Sequence, residues 1–187
     1  MKSSIRNNHP HPEETVNDWV SQVIIRKGKR TDLPQMEWDG EFTHLRQIYA
    51  NTYKRSRAGL ARIWVVEFHP QVIIGQVLLQ LKSIREDLAD GVDRAYLFSF
   101  RIKPKFRSQG LGALLLTAAE SDVQQIGFHE MTLIVSKVNE RAIQFYQQHG
   151  YRITAPERGE WVYRDHNNER HKVVDPGWKM VKVLRRY

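Results

Sequence analysis

The chain switches between two hydrophobic periods, and the switches mark its elements. Over Ala95–Ile102 every second residue, Tyr96, Phe98, Phe100 and Ile102, is apolar. That is the period of a strand carrying these four side chains on one face. Pro104 lacks a backbone donor and ends it. From Leu111 the period lengthens: Leu111, Leu114, Leu115, Ala118, Ala119 and Ile126 recur at helical spacing, with Gly127 as the stop. Met131–Val135 reads as a short buried strand, Asn139–His149 as a helix closed by Gly150, and Tyr151–Thr154 as a further strand.

The same reading applied upstream gives a first strand at Trp19–Arg26 behind a loosely ordered arm, residues 1–18. Asp32–Tyr53 is mainly helical, with Leu45, Ile48, Tyr49 and Thr52 along one face. The segment EWDGE, residues 37–41, is expected to break it in two, since Gly40 is a poor interior helix residue. Leu60–Phe68 and Val72–Leu81 pair as antiparallel strands about His69-Pro70, with Gly75 at a bulge. A polar connection covers 83–93. Trp161–Tyr163 and Trp178–Leu184 are the last strands expected, with a polar loop at 164–177. The whole, from residue 19 to 187, is expected to be one α/β domain.

Composition removes several classes of function. A chain of 187 residues that is 41% hydrophobic and 27% charged has enough material for an ordinary core. It has no cysteine, which excludes disulfides, a thiol nucleophile and thiolate metal sites. Its eight histidines show no ligand spacing, so no metal is expected. The polar start carries no signal-peptide pattern, and no apolar run approaches the ~20 residues that span a bilayer. The expected compartment is the cytoplasm. The net charge of +8 raises nucleic acid as a partner, but the basic residues are scattered and no recognition module accompanies them.

One basic cluster is different. Lys103, Lys105 and Arg107 lead into Ser108, Gln109, Gly110, Leu111, Gly112 and Ala113, at a junction from strand to helix. The first N–H groups of a helix lack internal partners and the helix dipole adds positive charge there, so the junction can bind an anion. A plain glycine turn accounts for it equally well. Asn139 and Tyr146, seven residues apart, lie on one side of the next helix. Asn139 suits a helix cap and Tyr146 suits core packing, unless the two serve a site.

Taken together, a strand ending before Pro104, then Arg107-x-x-Gly110-x-Gly112, then Asn139 and Tyr146 before Gly150-Tyr151, resembles the GNAT superfamily of N-acetyltransferases. The similarity spans residues 20–155 and is strongest over 96–151. It implies a GNAT-like α/β (α+β) fold: a mixed, mostly antiparallel twisted sheet flanked by helices, with splayed central strands. It implies acetyl-CoA as cosubstrate and direct transfer of the acetyl group to an amine. The backbone N–H groups from Ser108 to Ala113 would cradle the pyrophosphate, with Lys103, Lys105 and Arg107 adding long-range attraction. The main chain of Phe100, Arg101 and Ile102 would hold the pantetheine, and Asn139 would touch the cofactor. Tyr146 would protonate the leaving sulfur, a phenol of pKa about 10 being protonated at neutral pH. Glu67 is a candidate base, against the simpler reading of a solvent-facing strand residue. Glu37, Asp39 and Glu41 are candidates for drawing a cationic acceptor to its entrance. The acceptor is unidentified and a homodimer is left open. Two other classes compete: a non-catalytic acetyl-CoA-binding regulator and a basic nucleic-acid-binding module.

Overall fold

A seven-stranded sheet organises residues 22–69 and 72–184, which the computed structural model describes. The strands are β1 (Val23–Lys27), β2 (Ala61–Phe68), β3 (Ile73–Gln80), β4 (Arg94–Ile102), β5 (Glu130–Ser136), β6 (Arg152–Glu157) and β9 (Gly177–Val183). Their spatial order is β1-β2-β3-β4-β5-β9-β6, and only β4 and β5 run parallel. A separate hairpin pairs β7 (Glu160–Arg164) with β8 (Arg170–Val174). The helices are α1 (Arg46–Arg57), α2 (Leu111–Gln125) and α3 (Glu140–Gln148). The expected arm at 1–18, the start of the first expected strand, and Pro70 lie outside the described residues.

The sheet is covered on both faces, which explains why β3 is buried at every position from Ile73 to Leu79. On one face α2 and α3 pack over Val77, Leu79, Leu97 and Met131, with Leu111, Leu115, Leu116 and Val123 supplied by α2. Burial of each such aliphatic side chain contributes about 1.5–3 kcal/mol. A polar tie adds direction: the Trp64 indole donates to Asp122 of α2 at 3.1 Å, and Lys27 and Arg62 approach the same carboxylate. On the other face Leu45 and Tyr49 pack with Met36 against Ile63, Val65 and Leu78.

The helical region at 32–53 does break at EWDGE. Its first half is a 3-10 helix, Arg30–Glu37, containing Pro34, which cannot donate an α-helical bond. Trp38 and Asp39 then take left-handed backbone angles, and α1 begins at Arg46. The expected loop at 164–177 is corrected by β8, whose exposed, alternating RHKVV segment lacks the apolar content of a buried strand.

The alternation assumed for β4 is also corrected. Gln76 and Leu78, two apart on β3, face Arg101 and Phe98, three apart on β4, so β4 carries one extra residue. Ser99, at φ 49°, sits in this bulge. Ala95, Leu97, Phe100 and Ile102 therefore pack with the α2 face, while Phe98 belongs to the opposite core. Tyr96, Phe98, Phe100 and Ile102 do not share a face.

Candidate functional site

The parallel pairing of β4 and β5 runs from Arg94↔Glu130 to Leu97↔Leu133 and stops. Beyond it the two strands part: Phe98–Ile102 pairs only with β3, and Ile134–Ser136 only with β9. The bulge at Ser99 lies at the point of parting. Backbone groups on the inner edges of both strands are left facing a gap in the middle of the sheet. This is the splay that the resemblance implied.

Two clefts meet at that gap. The first, of about 560 Å³, lies on the α2/α3 side and is lined by Phe100, Ile102, Gly112, Asn139 and Tyr146 among others. The second, of about 940 Å³, lies between α1 and the β7–β8 hairpin, with Ile48, Tyr96, Trp161 and Tyr163 in its walls. Phe98, Ser99, Arg101, Ile134, Ser136 and Asp175 line both. The gap thus connects one face of the sheet to the other.

At the mouth of the first cleft the chain leaves β4 through a 3-10 turn, Pro104–Phe106. Gly110, at φ 80°, precedes α2 in a conformation natural to glycine. The first bond of α2 is from the Leu114 N–H to the Gly110 carbonyl, so the N–H groups of Leu111, Gly112 and Ala113 come before the helical ladder. Of the expected anion-binding residues, Arg107, Ser108 and Gly112 line the cleft. Gln109, Gly110 and Ala113 do not, and Leu111 turns its side chain into the core. The Arg107 guanidinium donates to the Ile102 carbonyl at 2.8 Å, fastening the loop to β4. Lys103 stands 3.7 Å from the Asp39 carboxylate.

Asn139 caps α3, its side-chain oxygen accepting from the Ala142 N–H at 3.1 Å, and it also lines the first cleft. Tyr146 is 6% exposed, with its ring among Phe100, Phe145 and Tyr151. Its hydroxyl has no hydrogen-bond partner among the described residues, and burial pushes the phenol well above the ordinary value. Arg101 turns its side chain toward α1. Its guanidinium lies 4.2 Å from the Phe42 ring centre and donates to the Tyr49 hydroxyl at 3.3 Å, and burial lowers its pKa.

Neither set of expected acceptor-side acids enters a cleft. Glu67 pairs with Arg26, which also holds Asp32. Glu37 accepts two bonds from Arg46 and one from Thr43, and the Arg46 guanidinium holds its carboxyl below the ordinary range. Asp39 and Glu41 are exposed on the turn. At the end of the β7–β8 hairpin, Asp165, Glu169 and His171 gather donor atoms within 4.8 Å of one another. Asp165 there already accepts from two backbone N–H groups of its own turn, and the group lies outside both clefts.

Three residues of the site were not anticipated. Arg141 of α3 donates to the Ser108 hydroxyl at 2.9 Å and brings a cation to the glycine loop. Ser136 and Asp175 sit together at the gap, 2.7 Å apart. The Ser-Lys-Val-Asn-Glu-Arg run hinted at Arg141 only by placing a cation in the first turn of the helix that Asn139 caps. Nothing local marked Asp175, which is 39 residues from Ser136.

Comparison with known proteins agrees with this architecture. Over 60 residues the chain is 33% identical to an uncharacterized N-acetyltransferase, YdgE, of Bacillus subtilis (strain 168), a match covering 32% of this chain and 38% of that protein. The fold resembles Ard1 from Thermoplasma volcanium, with a TM-score of 0.68 at 16% identity over 88% of this chain and 99% of the other. It also resembles Arabidopsis thaliana NAA60 in complex with acetyl-CoA, with a TM-score of 0.65 at 16% identity over 87% and 98%. Residues 30–151 match the family model of the acetyltransferase (GNAT) family, and the chain belongs to that family.

Proposed function

We propose that the chain binds acetyl-CoA in the first cleft and transfers its acetyl group directly to an amine that enters from the second. The observation that carries this reading is the parting of β4 and β5 beyond Leu97 and Leu133, which joins the two clefts through the sheet. Family membership and the likeness to a fold solved with acetyl-CoA support it.

The residues present fit the cosubstrate. The leading N–H groups of α2, the glycine loop and the Arg141 guanidinium form a positive cradle for its pyrophosphate. The β4 edge at Phe100, Arg101 and Ile102 has no partner strand on the cleft side, which suits it to an amide-bearing arm, although the Ile102 carbonyl is already taken by Arg107, and Asn139 borders the same wall. When bound, the thioester supplies an activated acetyl group; the chain supplies position and protons. A β4-edge N–H can stabilise the charge that gathers on the carbonyl oxygen. Tyr146, kept protonated by burial, gives its proton to the departing sulfur. A chain without cysteine forms no thioester intermediate of its own.

The test is to incubate the full chain with acetyl-CoA and four amines: tyramine, spermidine, a peptide with a free amino terminus and a blocked peptide with an internal lysine. Free thiol release that requires an amine, with one acetyl group found on that amine, is the expected result. Calorimetric binding of acetyl-CoA without release across the panel would favour a non-catalytic acetyl-CoA-binding regulator.

A further inference from the structure

Transfer leaves one proton unaccounted for. An amine nitrogen that bonds to the acetyl carbon must lose a proton, and neither Glu67 nor the EWDGE acids reach the gap between β4 and β5. Among the described residues Asp175 is the sole carboxylate in the lining of the first cleft, and the sole one common to both clefts. The second cleft also has Glu157 and Glu160, but Glu157 is paired with Arg85 and Glu160 with Lys172.

The position of Asp175 is built rather than incidental. It sits in the two-residue link between β8 and β9, and that link is tied on three sides. Ser136, the last residue of β5, pairs with Gly177. The Lys137 N–H donates to the Pro176 carbonyl at 2.9 Å, and the Asp175 N–H donates to the Gly159 carbonyl at 3.0 Å. The contact with Gly159 is so close that a Cβ there would lie 1.6 Å from the Asp175 carbonyl oxygen. The Ser136 hydroxyl then donates to Asp175 Oδ1 at 2.7 Å, fixing the carboxylate at the end of β5, past the last residue that pairs with β4. Oδ2 has no partner among the described residues.

We infer that Asp175 is the group that takes the proton from the amine, with Ser136 as its positioning residue; this rests on the transfer reading above. The step balances. The nitrogen lone pair forms the N–C bond, the C–S bond breaks with its electrons on sulfur, the surplus N–H proton passes to Asp175 Oδ2, and the Tyr146 proton passes to sulfur. Solvent then returns a proton from Asp175 to Tyr146. A carboxylate suffices because the nitrogen becomes more acidic as its bond to carbon forms.

The experiment uses whichever of the four amines turns over fastest. Asp175→Asn should lower kcat by about 10²-fold or more while acetyl-CoA affinity, by calorimetry, stays within about twofold. Asp175→Ala should regain turnover when formate is added, a rescue that a purely structural role would not give. Asp175→Glu should retain more activity than either. Wild-type kcat in folded Asp175→Asn would overturn the inference. So would a loss confined to the KM of the amine, or one that neither formate nor Asp175→Glu relieves. Those results leave the transfer reading standing, whereas absence of turnover by the wild-type chain on all four amines would defeat that reading and this inference together.

Discussion

The Arg141 guanidinium and the Ser108 hydroxyl, 2.9 Å apart, join the start of α3 to the glycine loop at the start of α2. The contact sets a positive charge beside N–H groups that already favour an anion. Arg141→Gln keeps a donor but removes the charge. It should weaken acetyl-CoA binding about three- to tenfold at low salt, the size of one partly exposed charge-assisted contact. The deficit should narrow as salt rises. Titration calorimetry at two ionic strengths checks it, and equal affinities at low salt would remove Arg141 from the site.

The two glycines should behave differently. A Cβ on Gly112 would meet the Phe145 ring at 3.5 Å, an ordinary contact, whereas Gly110 has open space but a φ of +80°. Gly112→Asp should therefore fold normally and lose acetyl-CoA binding through bulk and like charge. Gly110→Ala should lose about 1 kcal/mol of stability from backbone strain alone. Denaturation curves and calorimetry on both variants separate the effects; unchanged acetyl-CoA affinity in folded Gly112→Asp would contradict the proposed cradle.

Tyr146→Phe keeps the ring contacts with Phe100 and Tyr151 and removes the hydroxyl. The expected outcome is a fall in kcat of about 10²–10⁴-fold with acetyl-CoA affinity unchanged. Single-turnover measurements keep product release from masking the change. A wild-type rate constant for the chemical step would mean that Tyr146 only packs.

Alkaline pH should destabilise the chain by a calculable route. Burial raises the phenols of Tyr96, to about 12, and of Tyr146 and Tyr151 above their ordinary value. The unfolded chain ionises these groups near pH 10, before the folded chain does, so above pH 10 the unfolded state binds fewer protons. Stability from these groups is complete below about pH 10. It then declines by about 1.4 kcal/mol per pH unit for each tyrosine until its folded value is reached. Urea unfolding from pH 8 to 11 reads the slope, and Tyr146→Phe should make it shallower. A slope that Tyr146→Phe leaves unchanged would remove Tyr146 from this account.

Glu37 tests whether the acids of EWDGE serve structure or acceptor. Its bonds to Arg46 and Thr43 hold the 3-10 turn to the start of α1. Glu37→Gln should lower the melting temperature at neutral pH and leave the KM of the amine unchanged. A raised KM with an unchanged melting temperature would reverse the assignment.

What could be read from the chain was mostly what is local. Gly127 and Gly150 sit just past the ends of α2 and α3, and Gly110 and Asn139 precede their starts. Each marks a helix boundary through its own backbone or side chain. The splay followed from resemblance to a family, not from spacing. Ser99 escaped because serine carries no signature of a bulge, and one unpaired residue leaves an apolar alternation looking intact on paper. Asp175 escaped because its neighbours Ser136 and Gly159 come from other parts of the chain. Glu37 looked like free charge because Arg46 lies nine positions away, beyond the spacing at which helix pairs are recognised.

The bulge at Ser99 decides which face the rest of β4 presents. Were Ser99 drawn into the ladder as an ordinary paired residue, everything after it would be rotated by half a turn. Phe100 and Ile102 would swing toward α1, and the Arg101 guanidinium would be driven among Leu97, Leu111 and Val135 with no counter-charge beside it. The Phe42 and Tyr49 contacts of Arg101 would be lost in the same movement. A deletion of Ser99 would straighten the strand and leave each later side chain on its present face; absorbing Ser99 into the ladder would exchange the inside and outside of the strand that both clefts depend on.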